Sequence, residues 1–185
     1  MLTLILGGAR SGKSRLAQQL AAPARRVTYI ATLGAGLDEE MAARIDRHRA
    51  DRPTFWQTIE EPLAIAGAVE RAAPNADAIL LDCLTIWLSN LLFEHRNDTP
   101  QQFEDAARAE LARIAAVARQ CHVIVVSNEL GSGTVPEPAV TRTFRDIHGL
   151  MNQYAAEMAD EVILTVAGLP LYLKTVPRTD ERPSK

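Results

Sequence analysis

The chain has little of what would mark a secreted or a membrane protein. Cysteine occurs twice in 185 residues, at Cys83 and Cys121, each in or beside an apolar run. Two such thiols form no disulfide framework and read as buried thiols of a reducing compartment. No apolar run approaches the roughly 18 residues needed to cross a bilayer, so no membrane span is expected. The sequence begins directly on an apolar run, without the composition of a secretion signal, and the expected location is cytoplasmic. A basic excess is missing too: 20 Lys and Arg stand against 23 Asp and Glu, a net charge of −3. Nothing would drive the counterion release behind general nucleic-acid binding, and no nucleic-acid partner is expected. Internal repeats and an interdomain linker are absent. So is any Asn-Lys-x-Asp segment for reading guanine, which argues against a switch GTPase but leaves GTP open as a substrate.

What is present starts at residue 7. Gly7-Gly8-Ala9-Arg10-Ser11-Gly12-Lys13-Ser14 follows the apolar run Leu2–Leu6 and precedes the helix-like Arg15–Leu20. This is G-x-x-x-x-G-K-S between a strand and a helix. Such a turn exposes several backbone N–H groups in one concavity, at the positive end of a helix dipole, where phosphate oxygens bind. Lys13 would reach the β/γ-phosphates, and the Ser14 hydroxyl would ligate Mg2+. A nucleoside triphosphate is therefore the first expected ligand.

Further apolar runs lie at Val27–Ala31, Ala78–Leu81, Val123–Val126 and Val162–Val166. They are nearly continuous in apolar character rather than alternating, as in strands buried on both faces of a parallel sheet. Helical patterns separate them: 38–50 with Asp38 as N-cap, 62–73 with Pro62 in the first turn, 84–94, about 99–120, and 139–159. Thr99-Pro100-Gln101-Gln102 is a capping-box pattern. Leu171–Lys174 adds a short last strand, a hairpin after Gly168-Leu169-Pro170. This alternation predicts an α/β, three-layer P-loop domain with a mostly parallel sheet over residues 1–174. Its ligand would sit beyond the carboxyl ends of the strands. Residues 175–185 are polar, with no apolar face, and read as a loose tail.

Two carboxylates fall where such a ligand would lie. Asp82 ends the run Ala78–Leu81, as a Walker B acid ligating Mg2+ does, on a strand expected beside the phosphate loop. Glu129 follows Val123–Val126 in Ser127-Asn128-Glu129. It is read as a water-mediated metal contact, as a positioner of an acceptor hydroxyl, or as a solvated turn residue. The loop Gly131–Pro138 behind it suits a substrate-binding lid.

A second unusual stretch centres on His48. Met41, Ile45 and His48 share one helix face, and Arg44, Arg47, Arg49 and Arg52 crowd round the imidazole. The pattern is that of a surface helix with a half-buried histidine. It also fits a nucleophile. When the α-phosphate is attacked, the tail gripped by the phosphate loop becomes the pyrophosphate leaving group, and an imidazole approaching in line forms a phosphoramidate. His95 lies near a loop, His122 begins a strand, and His148 reads as structural.

Together these segments resemble the bifunctional adenosylcobinamide kinase / adenosylcobinamide-phosphate guanylyltransferase family of cobalamin biosynthesis. The motifs run from residue 3 to about 170: Gly7–Ser14, Tyr29-Ile30-Ala31-Thr32, Asp38–Ile45 with His48 and Arg52-Pro53, Trp56 with Thr58 and Glu60, Leu80–Thr85, Ser127–Gly131, Val135-Pro136 and Phe144-Arg145-Asp146. The resemblance implies phosphorylation of adenosylcobinamide by ATP or GTP, then transfer of GMP from GTP to that phosphate through a guanylylated histidine, here His48. It implies guanine-nucleotide contacts at Gly7, Gly8, Ala9, Arg10, Ser11, Gly12, Lys13, Ser14, Thr32, Arg49, Ala50, Asp51, Arg52, Glu60 and Asp82. A RecA-like fold and a homotrimer are implied as well. The loop Leu33–Leu37 departs from the family pattern, and no contact is carried over onto it.

Overall fold

The computed structural model describes residues 1–33 and 53–175. The expected helix over 38–50, His48 with Arg49, Ala50, Asp51 and Arg52, and tail residues 176–185 lie outside the described residues.

The chain runs β1 (Leu2–Gly7), α1 (Lys13–Ala21), β2 (Val27–Ala31), β3 (Gln57–Glu60), α2 (Ile65–Ala72), β4 (Ala78–Asp82), α3 (Leu84–Glu94), α4 (Pro100–Val117), β5 (His122–Val126), α5 (Ala139–Met158), β6 (Glu161–Val166) and β7 (Leu169–Lys174). A short 3-10 turn, Ala73–Asn75, precedes β4. The strands form one sheet in the order β3-β2-β4-β5-β1-β6-β7. All pairs are parallel except β6 with β7. The expected α/β fold with its mostly parallel sheet is the fold found.

The continuous apolar runs fill both faces of the sheet. Ile5, Tyr29, Ala78, Leu80, Ile124 and Val126 point to one side, against Ala17 and Ala21 of α1 and Trp56. Leu4, Ile30, Ile79, Leu81, Val123 and Val125 point to the other, against α2, α3, α4 and α5. Alternate residues of one strand thus serve two cores, and a strand such as Ala78–Leu81 tolerates no polar residue before its end.

Local signals set most boundaries. Thr99 Oγ1 accepts from the Gln102 N–H while Gln102 Oε1 accepts from the Thr99 N–H, so the predicted capping box starts α4. α2 begins at Ile65 rather than at Pro62. Glu61 Oε1 accepts from the N–H groups of Leu63 and Ala64 and holds Pro62 in a preceding turn. β3 escapes the apolar-run criterion because Ile59 is its one partly buried residue; it lies at the sheet edge. β7 starts at Leu169, two residues earlier than expected. Ala167 and Gly168, at φ +52° and +81°, make the tight turn that returns the chain antiparallel. Pro170 is tolerated because β7 is an edge strand.

Parallel pairing has one consequence for function. It brings the carboxyl ends of β1, β2, β3, β4 and β5, at Gly7, Ala31, Glu60, Asp82 and Val126, to one end of the sheet.

Candidate active site

The turn after β1 is built for close approach. A Cβ on Gly7 would lie 2.5 Å from the carbonyl oxygen of Thr165, so β6 packs directly on the loop's first residue. Gly12 has φ +99°, and a Cβ there would come within 3.2 Å of Gly168 Cα. Ser11 ties the loop to the hairpin: its carbonyl accepts from the Gly168 N–H at 2.9 Å, and its Oγ bonds Thr165 Oγ1 at 2.7 Å. Thr165 Oγ1 in turn bonds the Leu6 carbonyl. Gly8 has open space where a side chain would be. The loop is thus anchored on the β6–β7 side and open at Gly8.

Lys13 opens α1, only 8% exposed, and its ammonium donates to the Gly8 carbonyl at 2.6 Å across the loop. The N-cap of α1 is Gly12, which has no side chain with which to satisfy the first N–H groups of the helix. Those donors and the helix dipole face an anion placed at the loop.

Asp82 ends β4 and accepts from the Tyr29 hydroxyl at 2.8 Å through Oδ2. β4 pairs with β2 and β5. The expectation that Asp82 sits on a strand neighbouring the phosphate loop is therefore corrected: β5 intervenes between β4 and β1. Sequence order hid this, because β5 comes later in the chain and inserts between two earlier strands. The Asp82–Cys83 peptide is cis. Thr32 clamps it: its hydroxyl donates to the Cys83 carbonyl at 2.8 Å and accepts from the Cys83 N–H at 2.9 Å, while its N–H reaches the Asp82 carbonyl. Asn90 of α3 bonds the Thr32 carbonyl. Thr32, fully buried, thus supports the Asp82 turn. Burial, and secondly the Asp82 carboxylate, push the Cys83 thiol up to about 11, so it stays protonated. Both cysteines are free; Cys121 is only partly buried.

Opposite β6, the other strand beside β1 is β5, and its continuation carries Glu129. The Glu129 N–H donates to the Gly7 carbonyl at 2.9 Å, and its Oε1 accepts from the Gly131 N–H at 2.6 Å. Beneath it lies a buried polar group from three elements: Ser127 after β5, Thr85 in the first turn of α3, and His148 with Asn152 on α5. His148 is buried, and desolvation lowers its pKa to about 4, partly opposed by Glu129, so its imidazole is neutral. Arg142 of α5 donates to the carbonyls of Pro136 and Glu137, fastening the end of the Gly131–Pro138 loop.

Glu60 stands at the end of β3, beside Ala31 of β2. His122 lies at the opposite end of the sheet, bonded to Thr3, and His95 pairs with Asp98 in a loop. Tyr29, Thr85, Asn90, Asn152 and Thr165 were not singled out as functional from the sequence. Each is a polar residue inside or beside an apolar segment, and Tyr29 and Thr85 also fall within the motifs that carry the family resemblance. Among the described residues, no group of three or more His, Cys, Asp and Glu side chains could hold a metal ion, and no helix is long and apolar enough to cross a membrane.

A glycine loop at the end of a parallel strand, a lysine opening the following helix and an acid ending a second strand define a nucleotide-binding P-loop domain of RecA-like architecture. A solved ATPase from the type III secretion system of pathogenic bacteria has the same fold, with a TM-score of 0.59 over 92% of this chain and 56% of that one at 13% identity. The family model for cobinamide kinase / cobinamide phosphate guanyltransferase matches residues 3–173, and the chain belongs to that family. Its relatives include the bifunctional adenosylcobalamin biosynthesis proteins CobP of Pseudomonas aeruginosa, 47% identical over 96% of this chain and 99% of that protein, and CobU of Salmonella typhimurium, 44% identical over 94% and 100%. CobU of Escherichia coli is 41% identical over 94% of this chain and 100% of its own length.

Proposed function

We propose that the protein carries out two reactions in cobalamin biosynthesis. In the first, the aminopropanol hydroxyl of adenosylcobinamide attacks the γ-phosphorus of ATP or GTP. A new P–O bond forms, the bond to the β-phosphate oxygen breaks so that ADP or GDP leaves, and the hydroxyl proton passes to water. In the second, an imidazole nitrogen of His48 attacks the α-phosphorus of GTP and pyrophosphate leaves. A phosphate oxygen of the adenosylcobinamide phosphate then displaces His48, giving adenosylcobinamide-GDP and restoring the imidazole. The observation that carries this reading is the open, glycine-built loop in a chain matched by the family model over residues 3–173.

The same loop serves both steps. Gly7, Gly8, Ala9, Arg10, Ser11, Gly12, Lys13 and Ser14 hold the triphosphate tail, and Lys13 exchanges the Gly8 carbonyl for phosphate oxygens. Thr32 acts by holding the Asp82 turn. Glu60, at the same end of the sheet, and the segment Arg49-Ala50-Asp51-Arg52 complete the nucleotide contacts.

Ser14 and Asp82 would hold Mg2+. The donors, one hydroxyl after the end of β1 and one carboxylate at the end of β4, are hard oxygens of the kind Mg2+ takes beside nucleotide phosphates. Bound there, the ion would neutralise charge on the phosphates. Asp82→Asn is expected to shift the Mg2+ titration of activity to higher concentration by about tenfold or more, as loss of a ligand charge does. An unchanged titration would remove Asp82 from the metal site.

The chain is proposed to work as a cytoplasmic homotrimer. Leu169, Leu171, Tyr172 and Leu173 on edge strand β7 are each more than half exposed, an apolar edge that a further copy would cover; the mass in solution decides the number. The test of the function is to supply adenosylcobinamide with ATP and GTP. The expected result is a corrinoid carrying GMP, with one pyrophosphate released per product. Phosphorylated corrinoid without GMP would reduce the reading to a kinase acting on the γ-phosphate alone.

A further inference from the structure

The buried group under Glu129 has a readable hydrogen-bond order. Asn152 Nδ2 donates to the Asn128 carbonyl at 2.9 Å, and Asn152 Oδ1 accepts from the Ser127 hydroxyl at 2.7 Å. A backbone carbonyl can only accept, so the orientation of this amide is set. Its NH2 group then faces His148 Nδ1 at 3.5 Å, and Nδ1 must be an acceptor. A neutral imidazole accepting at Nδ1 carries its proton on Nε2. That N–H points at Thr85 Oγ1, 3.0 Å away, and at Ser127 Oγ, 3.3 Å away. Thr85 Oγ1 also accepts from the Asn128 N–H at 2.9 Å.

Both polar groups of the Asn128 backbone are therefore taken by residues that His148 touches: its N–H by Thr85, its carbonyl by Asn152. The next residue is Glu129, whose own N–H meets the Gly7 carbonyl at the base of the phosphate loop. His148, Ser127 and Asn152 are buried, which shields the bonds among them, and the bonds to Thr85 and the Asn128 backbone are partly buried.

We propose that His148 is a positioning residue: its Nε2–H holds Thr85, and with Asn152 it fixes the Asn128–Glu129 backbone against the phosphate loop, setting where Glu129 stands during phosphate transfer. The loop has two flanks. Thr165 and Gly168 secure the Ser11–Gly12 side independently of His148. Loosening the Glu129 flank alone should slow turnover while leaving nucleotide binding nearly intact, because a small misplacement near reacting atoms costs up to about 100-fold in rate.

The experiment compares His148→Leu, His148→Gln and His148→Asn in the full-length protein. Glutamine puts an amide N–H near the place of Nε2 and can hold Thr85; asparagine reaches only toward Nδ1. We expect kcat for phosphorylation of the corrinoid to fall about 10- to 100-fold in His148→Leu and in His148→Asn, with the nucleotide KM within about threefold of wild type. His148→Gln should recover most of kcat. Thr85→Val, which keeps shape and removes the hydroxyl, should reproduce the loss even where a histidine variant folds poorly. Amide exchange at Asn128 and Glu129 should quicken in His148→Leu and stay near wild type in His148→Gln, while Val123–Val126 stay protected in both. Wild-type kcat in His148→Leu, equal loss in the leucine and glutamine variants, or unchanged exchange at Asn128 would overturn the proposal. The kinetic arm rests on the two-reaction reading; the exchange arm does not. A wild-type protein inactive on the corrinoid would sink that reading and leave the exchange result to judge His148.

Discussion

GTP labelled on its α-phosphate is expected to leave that label on the wild-type protein, and none on His48→Ala. The bond formed would be P–N, so the label should be released by acid and survive base. A loop that grips the β- and γ-phosphates holds the leaving group when the α-phosphorus is attacked, and the nucleophile must arrive from the far side. His48 has Arg44, Arg47, Arg49 and Arg52 around it in sequence. Placed near the imidazole, those guanidiniums would offset charge on the transferring phosphate and disfavour a second positive charge on the ring. The other histidines are poorer choices in the fold. His148 is buried with both ring nitrogens engaged, His122 lies at the wrong end of the sheet, and His95 is paired with Asp98. Loss of all α-label in His48→Ala, with γ-phosphate transfer to adenosylcobinamide retained, would separate the two reactions at one residue. Label persisting in that variant would move the nucleophile elsewhere.

The second large effect belongs to Lys13. Lys13→Ala should lower kcat for both half-reactions by about 100- to 1000-fold, the scale seen when a preorganised charge donor is taken from a water-poor site. The ammonium sits on the loop, nearly buried and bonded to the Gly8 carbonyl, where the tail of either nucleotide would lie. In the kinase step it would stabilise the phosphoryl group in transit; in the guanylyl step, the departing pyrophosphate. The assays are run separately, adenosylcobinamide with ATP and adenosylcobinamide phosphate with GTP. If one reaction kept its wild-type rate, the two steps would not share this cradle. The fold should survive the change, since Thr165 and Gly168 hold the loop through Ser11.

Much of this is legible in the sequence. Strands fully buried on both faces cannot hide their apolar runs, so β1, β2, β4, β5 and β6 were visible. The α4 start was equally plain, because a capping box is a local exchange of two hydrogen bonds. β3 was not, since an edge strand packed on one side needs only Ile59. The start of α2 is not legible, because Glu61 takes the N–H groups of Leu63 and Ala64 and delays the helix to Ile65. In the site, the Gly7–Ser14 motif announced itself through chemistry that packing alone does not require. Thr165, Thr85 and Asn152 gave no such signal. Their roles depend on partners more than forty residues away or on a different element, and no local pattern encodes that.

The sequence by itself determined that a G-x-x-x-x-G-K-S motif follows the first strand, that an acid ends a later strand, and that His48 stands among arginines. These are local facts, written in residue type and spacing. The tertiary structure alone decided what surrounds them. It inserted β5 between the phosphate loop and Asp82, pressed the β6–β7 turn against Gly7 and Gly12, and put one buried imidazole beneath Asn128. The reason is that strand order and close backbone approach arise from pairing between distant segments, and only when the sheet assembles do those segments meet.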